Sequence, residues 1–292
     1  IEARYPPEGD IVSVNGREVH VVVRGKGPDL VLVHGAGGNW RDFDASIADA
    51  LADRYRLFMV DRPGHGWTPA GQDYTGAFRS SGESPLSQAR LLAAAVRQFG
   101  AERPLVLGHS FGGAVAMAWA LEAEAAGLVI VSGVTLPWPG KVDLSYRVLG
   151  SSLGSAVLAP LGAAFVPRRY VDTVLDTAFR PQLAPRDYLT RAGVPLAIRT
   201  DTLRANNRQV KTLRPHVVDQ SKRYDDIAIP IEVVHGTEEE TVWPDVHAEP
   251  LATRLGNAEL TLLEGIGHMP HHLVPDDIIA AVERVRERAG LR

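Results

Sequence analysis

The sequence predicts an α/β protein, a mostly parallel sheet flanked by helices and interrupted once by a helical insertion. Short apolar runs rich in Val, Ile and Leu alternate with longer stretches of helical period, the pattern of strand-helix-strand units whose strands are buried on both faces. Each run is bounded by Gly, Pro or charged residues. The alternation stops between Val134 and about Ile229, where helical patterns are broken by Pro137, Pro139, Pro160, Pro167, Pro181, Pro185, Pro195 and Pro215.

Taken in order, the strands are Val19 to Val23 after a turn at Asn15-Gly16, then Leu30 to Val33, Leu57 to Val60, Leu105 to Leu107, Leu128 to Val131, Ile231 to Val234 and Leu260 to Leu263. Helices are expected at Phe43 to Ala52, Pro85 to Phe99, Phe111 to Glu122, Pro244 to Leu255 and Asp276 to Arg288. The last is amphipathic, with Ile278, Ile279, Val282 and Val285 on one face and Glu283, Arg284, Arg286 and Glu287 on the other. The predicted organisation is one core made of residues 1–134 and 229–292, with residues 135–228 as a helical lid over the strand ends.

Composition narrows the function classes. The chain has 292 residues, 45% of them hydrophobic and 23% charged, an ordinary globular balance with enough length for a large core. A formal net charge of −4 lacks the basic surplus of a nucleic-acid binder. Zero cysteines remove disulfides, thiolate metal sites and a cysteine nucleophile. No apolar run reaches the roughly 18 to 20 residues of a membrane helix. The chain opens on Ile1 rather than Met, which leaves room for a removed leader or anchor and keeps localisation open.

The chemistry concentrates after the strands. Gly108-His109-Ser110-Phe111-Gly112 matches G-x-S-x-G between a strand and a helix, the context in which a sharp turn presents a serine hydroxyl above a sheet. A capping serine in a Gly-rich turn is the bland alternative. The loop His34 to Trp40 is rich in glycine, so its backbone N–H groups are free to face a ligand; those of Ala36 and Phe111 are the expected oxyanion donors. His268 follows the last strand, where a neutral imidazole would take the serine proton. After Ile231 to Val234 come Glu238, Glu239 and Glu240. Glu239 and Val242 fit the spacing G-x-x-D-x-x-V with Glu in the acidic place, so Glu239 is taken as the acid; its extra methylene demands a set-back backbone or weakens the orientation of the imidazole. Asp245 is weighed as a substitute and read as a helix-start residue. A metal cluster of Glu264, His268, His271 and His272 is set aside because it leaves the serine turn and the glycine loop unexplained.

Together HGAGGNW at His34 to Trp40, DRPGHG at Asp61 to Gly66, GHSFGG at Gly108 to Gly113, HGTEEETV at His235 to Val242 and GIGHMPHH at Gly265 to His272 resemble the α/β-hydrolase superfamily over nearly the whole chain, on its serine-nucleophile branch near esterases and epoxide-hydrolase-like proteins. The resemblance implies an eight-stranded, mostly parallel sheet with a lid, an acyl-enzyme mechanism acting on a small-molecule ester, and no cofactor or metal. Related chains often carry an N-terminal membrane anchor ahead of a segment like Tyr5 to Gly9. Serine at position 110 disfavours epoxide hydrolase and haloalkane dehalogenase activities, which use aspartate there. His65 and His109 are read as structural, and Tyr146, Tyr170, Tyr188 and Tyr224 as packing residues. Leu149, Leu153, Leu158, Leu161 and Phe165 are candidates for an apolar substrate wall, with packing within the lid as the alternative. Two other readings stay open on the sequence: a cofactor-free perhydrolase or haloperoxidase, and a ligand-binding receptor with an impaired triad. Natural substrate and oligomeric state are not legible.

Overall fold

A computed structural model describes residues 1–291. Eight strands form one sheet: β1 (Asp10–Val14), β2 (Arg17–Arg24), β3 (Asp29–Val33), β4 (Arg56–Val60), β5 (Leu105–His109), β6 (Gly127–Val131), β7 (Ile231–Gly236) and β8 (Ala258–Leu263). Their spatial order is β1-β2-β4-β3-β5-β6-β7-β8, antiparallel at β1/β2 and β2/β4 and parallel from β4 onward. The hairpin between β1 and β2 turns on Asn15 and Gly16, both at positive φ (50° and 79°), the conformation that a two-residue turn needs to match strand twist. β1 escaped the sequence reading because it is an edge strand, exposed along most of its length and without a buried apolar run.

The helices are α1 (Arg41–Asp44), α2 (Ala48–Ala52), α3 (Pro85–Arg97), α4 (Phe111–Glu122), α5 (Leu144–Leu149), α6 (Ala159–Phe165), α7 (Arg168–Phe179), α8 (Tyr188–Arg191), α9 (Thr200–Ser221), α10 (Pro244–His247), α11 (Glu249–Arg254), α12 (Pro270–Leu273) and α13 (Pro275–Arg288). Two helices expected as single pieces are each split. Between α1 and α2 the Ser46 hydroxyl donates to the Asp42 and Phe43 carbonyls, competing with the helical ladder. Pro250, in the first turn of α11, has no N–H to donate back to the Val246 carbonyl of α10, so the ladder is interrupted between them.

Both faces of the sheet are covered. On one, α3 and α4 pack through Leu92, Val96, Val115 and Trp119, joined by Leu213 and Val217 from the second half of α9. On the other, Phe43 and Leu51 from α1 and α2 meet Ile278, Val282 and Val285 of α13, each burial worth about 1.5–3 kcal/mol. The segment between β6 and β7 holds α5 to α9.

Chain order reverses at β3: the chain goes to one side of it for β4 and returns to the other for β5. The carboxyl ends of β3 and β5, in register at Val33 and Gly108, are therefore neighbours whose loops leave in opposite directions. Open α/β sheets bind ligands at such a point. Here it brings the loop after β3 beside Ser110.

Candidate active site

Ser110 links the end of β5 to the start of α4 at φ 54° and ψ −118°, a conformation costly for a residue with a side chain. The surroundings hold it there. A Cβ on Gly112 would collide with the Val33 carbonyl, and one on Gly108 with the Gly112 carbonyl, so strand and helix approach too closely for any side chain. Helix α4 is apolar around its circumference and buried from Phe111 to Trp119, which fixes the turn against the core.

The other two side chains come from neighbouring strand ends. His268, in the loop after β8, has Nε2 3.0 Å from Ser110 Oγ, and its Nδ1 donates to Glu239 Oε2. With the proton of a neutral ring on Nδ1, Nε2 is left as acceptor for the hydroxyl. Of the three adjacent glutamates only Glu239 is buried; Glu238 and Glu240 are exposed. Its second oxygen accepts from the backbone N–H groups of Thr241 (2.5 Å) and Val242 (2.9 Å). Burial alone would raise this carboxyl, but His268 and the two N–H groups outweigh it and hold it below the usual range. The loop thus accommodates the longer acid by gripping one oxygen. Asp245 stands exposed at the start of α10, and exposed Glu264 does not join His268.

His109 is buried behind the turn, with Nε2 2.9 Å from the His268 carbonyl, so the residue before the serine props the backbone of the histidine. Burial keeps its ring far below the ordinary histidine range and neutral.

The N–H groups of Ala36, in the loop after β3, and of Phe111, at the start of α4, find no acceptor among the described residues, and Ala36 lies in the cavity beside Ser110. Arg62 shapes this loop. Fully buried, it donates from Nε to the His34 carbonyl (2.9 Å) and from Nη2 to that of Gly35 (2.8 Å), with Gln88 and Gln209 accepting from Nη1. Burial pushes it down to about 9, which leaves it charged at neutral pH. The Gly37 N–H donates to Asn206 Oδ1 of α9 at 2.7 Å. The sequence reading placed Arg62 only within the Asp61 to Gly66 motif and missed Asn206. A charge directly after the apolar run of β4 was a usable signal for the first; an Asn within a polar helix offered none for the second.

His271 and His272 lie on α12 and turn away from His268. Both direct Nε2 at Asp42, at 3.1 and 2.9 Å, and the Tyr188 hydroxyl donates to the same carboxylate at 2.9 Å. The three groups place ligand atoms within 4.8 Å of one another, so they are the set with metal-binding geometry among the described residues, and each is already hydrogen-bonded in the network. His65 is buried beside Pro63 and Asn206.

Ser110 and His268 open into a cavity of about 360 Å³ whose other walls are the inner faces of α5, α6, α7 and α9. Leu149 and Leu158 line it, as do Tyr146, Tyr170 and Tyr188, whereas Leu153, Leu161 and Phe165 point to solvent. Tyr224 is elsewhere, buried against Gln220. A larger groove of about 690 Å³ along Gly64 to Ala70 and Arg199 to Arg208 contains none of the three central residues.

Sheet order and the strained strand-to-helix turn at Ser110 are those of the α/β-hydrolase fold, and the chain belongs to the alpha/beta hydrolase family, whose model matches residues 30–282. An uncharacterized protein of Mycobacterium tuberculosis is 28% identical over 291 residues, covering 96% of this chain and 81% of its own. A pimeloyl-[acyl-carrier protein] methyl ester esterase of Edwardsiella ictaluri is 32% identical over 196 residues, covering 53% of this chain and 69% of its own. Among solved structures, an alpha/beta hydrolase fold protein from Burkholderia ambifaria superposes with a TM-score of 0.72 at 25% identity, covering 94% of this chain and 96% of that one. No described helix is long and apolar enough to cross a membrane.

Proposed function

We propose that the protein is a serine hydrolase that cleaves a carboxylic ester or a related acyl bond of a small molecule. The observation that carries this is the unbroken chain from Glu239 through His268 to Ser110 beside two unpaired backbone N–H groups. Ser110 Oγ attacks the carbonyl carbon as His268 Nε2 takes its proton, and Glu239 stabilises the imidazolium that results. The N–H groups of Ala36 and Phe111 receive the charge that develops on the carbonyl oxygen, each worth roughly 3 kcal/mol in the transition state. The imidazolium returns the proton to the leaving alcohol, and water, activated by the same ring, releases the acid from the acyl-serine.

Residues 135–228 act as the lid that walls the substrate from water. The cavity is lined by no Lys or Arg, so a neutral, largely apolar acyl group suits it better than one ending in a free carboxylate. Glu239 is read as a native acid because backbone N–H groups are placed for its length.

The test is intact-mass labelling with a fluorophosphonate and turnover of a short p-nitrophenyl ester, comparing wild type with Ser110→Ala. Label and turnover should disappear together, the latter by about 10⁶-fold in kcat. A wild type that takes no label and turns over no ester sinks the proposal.

A further inference from the structure

Apolar side chains are exposed very unevenly over this molecule. Fifteen large ones stand exposed among the described residues, and ten of them fall between Leu144 and Leu183, in a stretch of 40 residues. Leu153, Phe165 and Leu183 are at least 70% exposed, and Leu161, Tyr170 and Val174 about half. Single exposed apolar residues need no explanation, but a concentration of this size on one set of helices does. Helices α5, α6 and α7 are thinly anchored: α5 buries no side chain, α6 only Ala159 and α7 only Phe179.

Charge separates the possible occupants. From Lys141 to Arg191 there are seven Lys and Arg against four Asp, whereas the chain as a whole is net negative. All seven cations are exposed, and Lys141, Arg147, Arg169 and Arg186 have no acidic partner among the described residues. A second copy of the chain seated on this face would set two positive surfaces against each other. An anionic lipid surface would receive the apolar side chains and the cations together, as interfacial helices rich in Leu, Phe and Arg do.

The same helices connect this face to the cavity. Leu158, Tyr170 and Val174 are exposed and also line the space that leads to Ser110, so the apolar surface continues into the cavity. We propose that the outer face of α5 to α7 docks on an anionic phospholipid bilayer and sets the cavity mouth at the lipid boundary, where an apolar ester passes from membrane to Ser110. Docking stands on the surface alone; only the passage of an ester rests on the hydrolase reading.

The experiment is co-sedimentation of the whole chain with vesicles of phosphatidylcholine alone and of phosphatidylcholine with 30% phosphatidylglycerol, at low salt and at 0.5 M NaCl. The wild type and Ser110→Ala should bind the anionic vesicles equally, at least tenfold more tightly than the neutral ones, and less at high salt. Two double variants lie outside the cavity lining: Leu161→Ser with Phe165→Ser, and Arg168→Glu with Arg169→Glu. Each should lower binding at least tenfold while leaving the melting temperature and turnover of a water-soluble ester unchanged. No sedimentation with anionic vesicles overturns the proposal, as does sedimentation indifferent to both variants. A lipid-free dimer that dissociates in the Leu161→Ser, Phe165→Ser variant overturns it in favour of self-association. Because Ser110→Ala is scored by binding, failure of the hydrolase reading leaves this result intact.

Discussion

The floor and the roof of the cavity are built differently. On the floor, Ser110, Glu239 and His268 are all buried, and each sits in a loop fixed by backbone contacts: Gly108 and Gly112 by their clearances, Glu239 by two N–H donors, His268 by His109 beneath its carbonyl. On the roof, α5 to α7 contribute two buried side chains between them, and several side chains that face the cavity also face solvent. Groups that must meet within tenths of an ångström are held by backbone, and groups that need only be apolar are held loosely. A fixed constellation under a separable cover follows; on the proposed hydrolase reading, the first sets the chemistry and the second the choice of substrate.

The sharpest way to break that division is to remove one polar group from each side. Glu239→Gln should lower kcat by about 10⁴-fold, because the amide favours the wrong imidazole tautomer while the nucleophile and oxyanion donors persist. Tyr146→Phe, on the roof, should change kcat less than tenfold in the same ester assay. A comparable loss in both would mean that the roof carries part of the chemistry. Glu239→Asp refines the point: with one oxygen held by Thr241 and Val242, a shorter side chain should move the imidazole and cost about 10²-fold. A gain in turnover would mean that the loop suits the shorter acid.

Acid should attack the floor before the roof. Nine of the ten histidines lie outside residues 135–228, with His216 the exception. Burial, assisted by Arg62, pushes His65 down to about 3; burial, assisted by His235, pushes His247 down to about 4. Both are neutral when folded and take up protons below about 6.5 when unfolded, so the unfolded chain binds more protons and stability falls as pH drops from 6.5 toward those values. Between pH 6.5 and 5 each costs about 2 kcal/mol, against a total stability of roughly 5–15 kcal/mol. The lowered carboxyl of Glu239 acts in the same direction at more acid pH, its contribution being lost below about its ordinary value of 4.5. Urea unfolding followed by tryptophan fluorescence should show a midpoint that declines steeply from pH 7 to 5; a flat midpoint would contradict the buried, neutral state of these rings.

The same division explains what the sequence disclosed. Buried parallel strands must be short apolar runs, so β3 to β7 were legible, and β2 and β8 carry enough apolar residues to be found as well, while the edge strand β1 turns only Val12 and Val14 to the core. The groups at Ser110, Glu239 and His268 follow strand ends and were found from local pattern, since the sheet itself brings those ends together. Spacing singled out Glu239 from three adjacent glutamates, and of the three it is the buried one, with Glu238 and Glu240 exposed. Between β6 and β7 the reading gave helices and prolines but not their faces: Leu149 and Leu158 line the cavity, whereas Leu153, Leu161 and Phe165 face outward. Helical period cannot say which side of a thin layer looks inward when both are apolar. Arg62, Asp42 and Asn206 were missed as site-forming residues for a related reason, each acting on a segment distant in sequence.

Asn206 is one of the places where roof and floor touch, and its expected effect is small but discriminating. Its Oδ1 accepts the Gly37 N–H, one residue from the proposed donor at Ala36, so a roof helix holds the loop that receives the oxyanion. Asn206→Ala removes a bond worth about 0.5–1.5 kcal/mol, which, expressed fully in the transition state, is a loss of up to about tenfold in kcat. Asn206→Asp keeps an acceptor on the same stem and should recover most of it above the carboxyl's titration range. If the loop is positioned from the roof, kcat falls with KM little changed, because oxyanion contacts strengthen only as charge develops. A rise in KM at constant kcat would instead confine Asn206 to shaping the cavity, and the loop after β3 would then be positioned without the Asn206 contact.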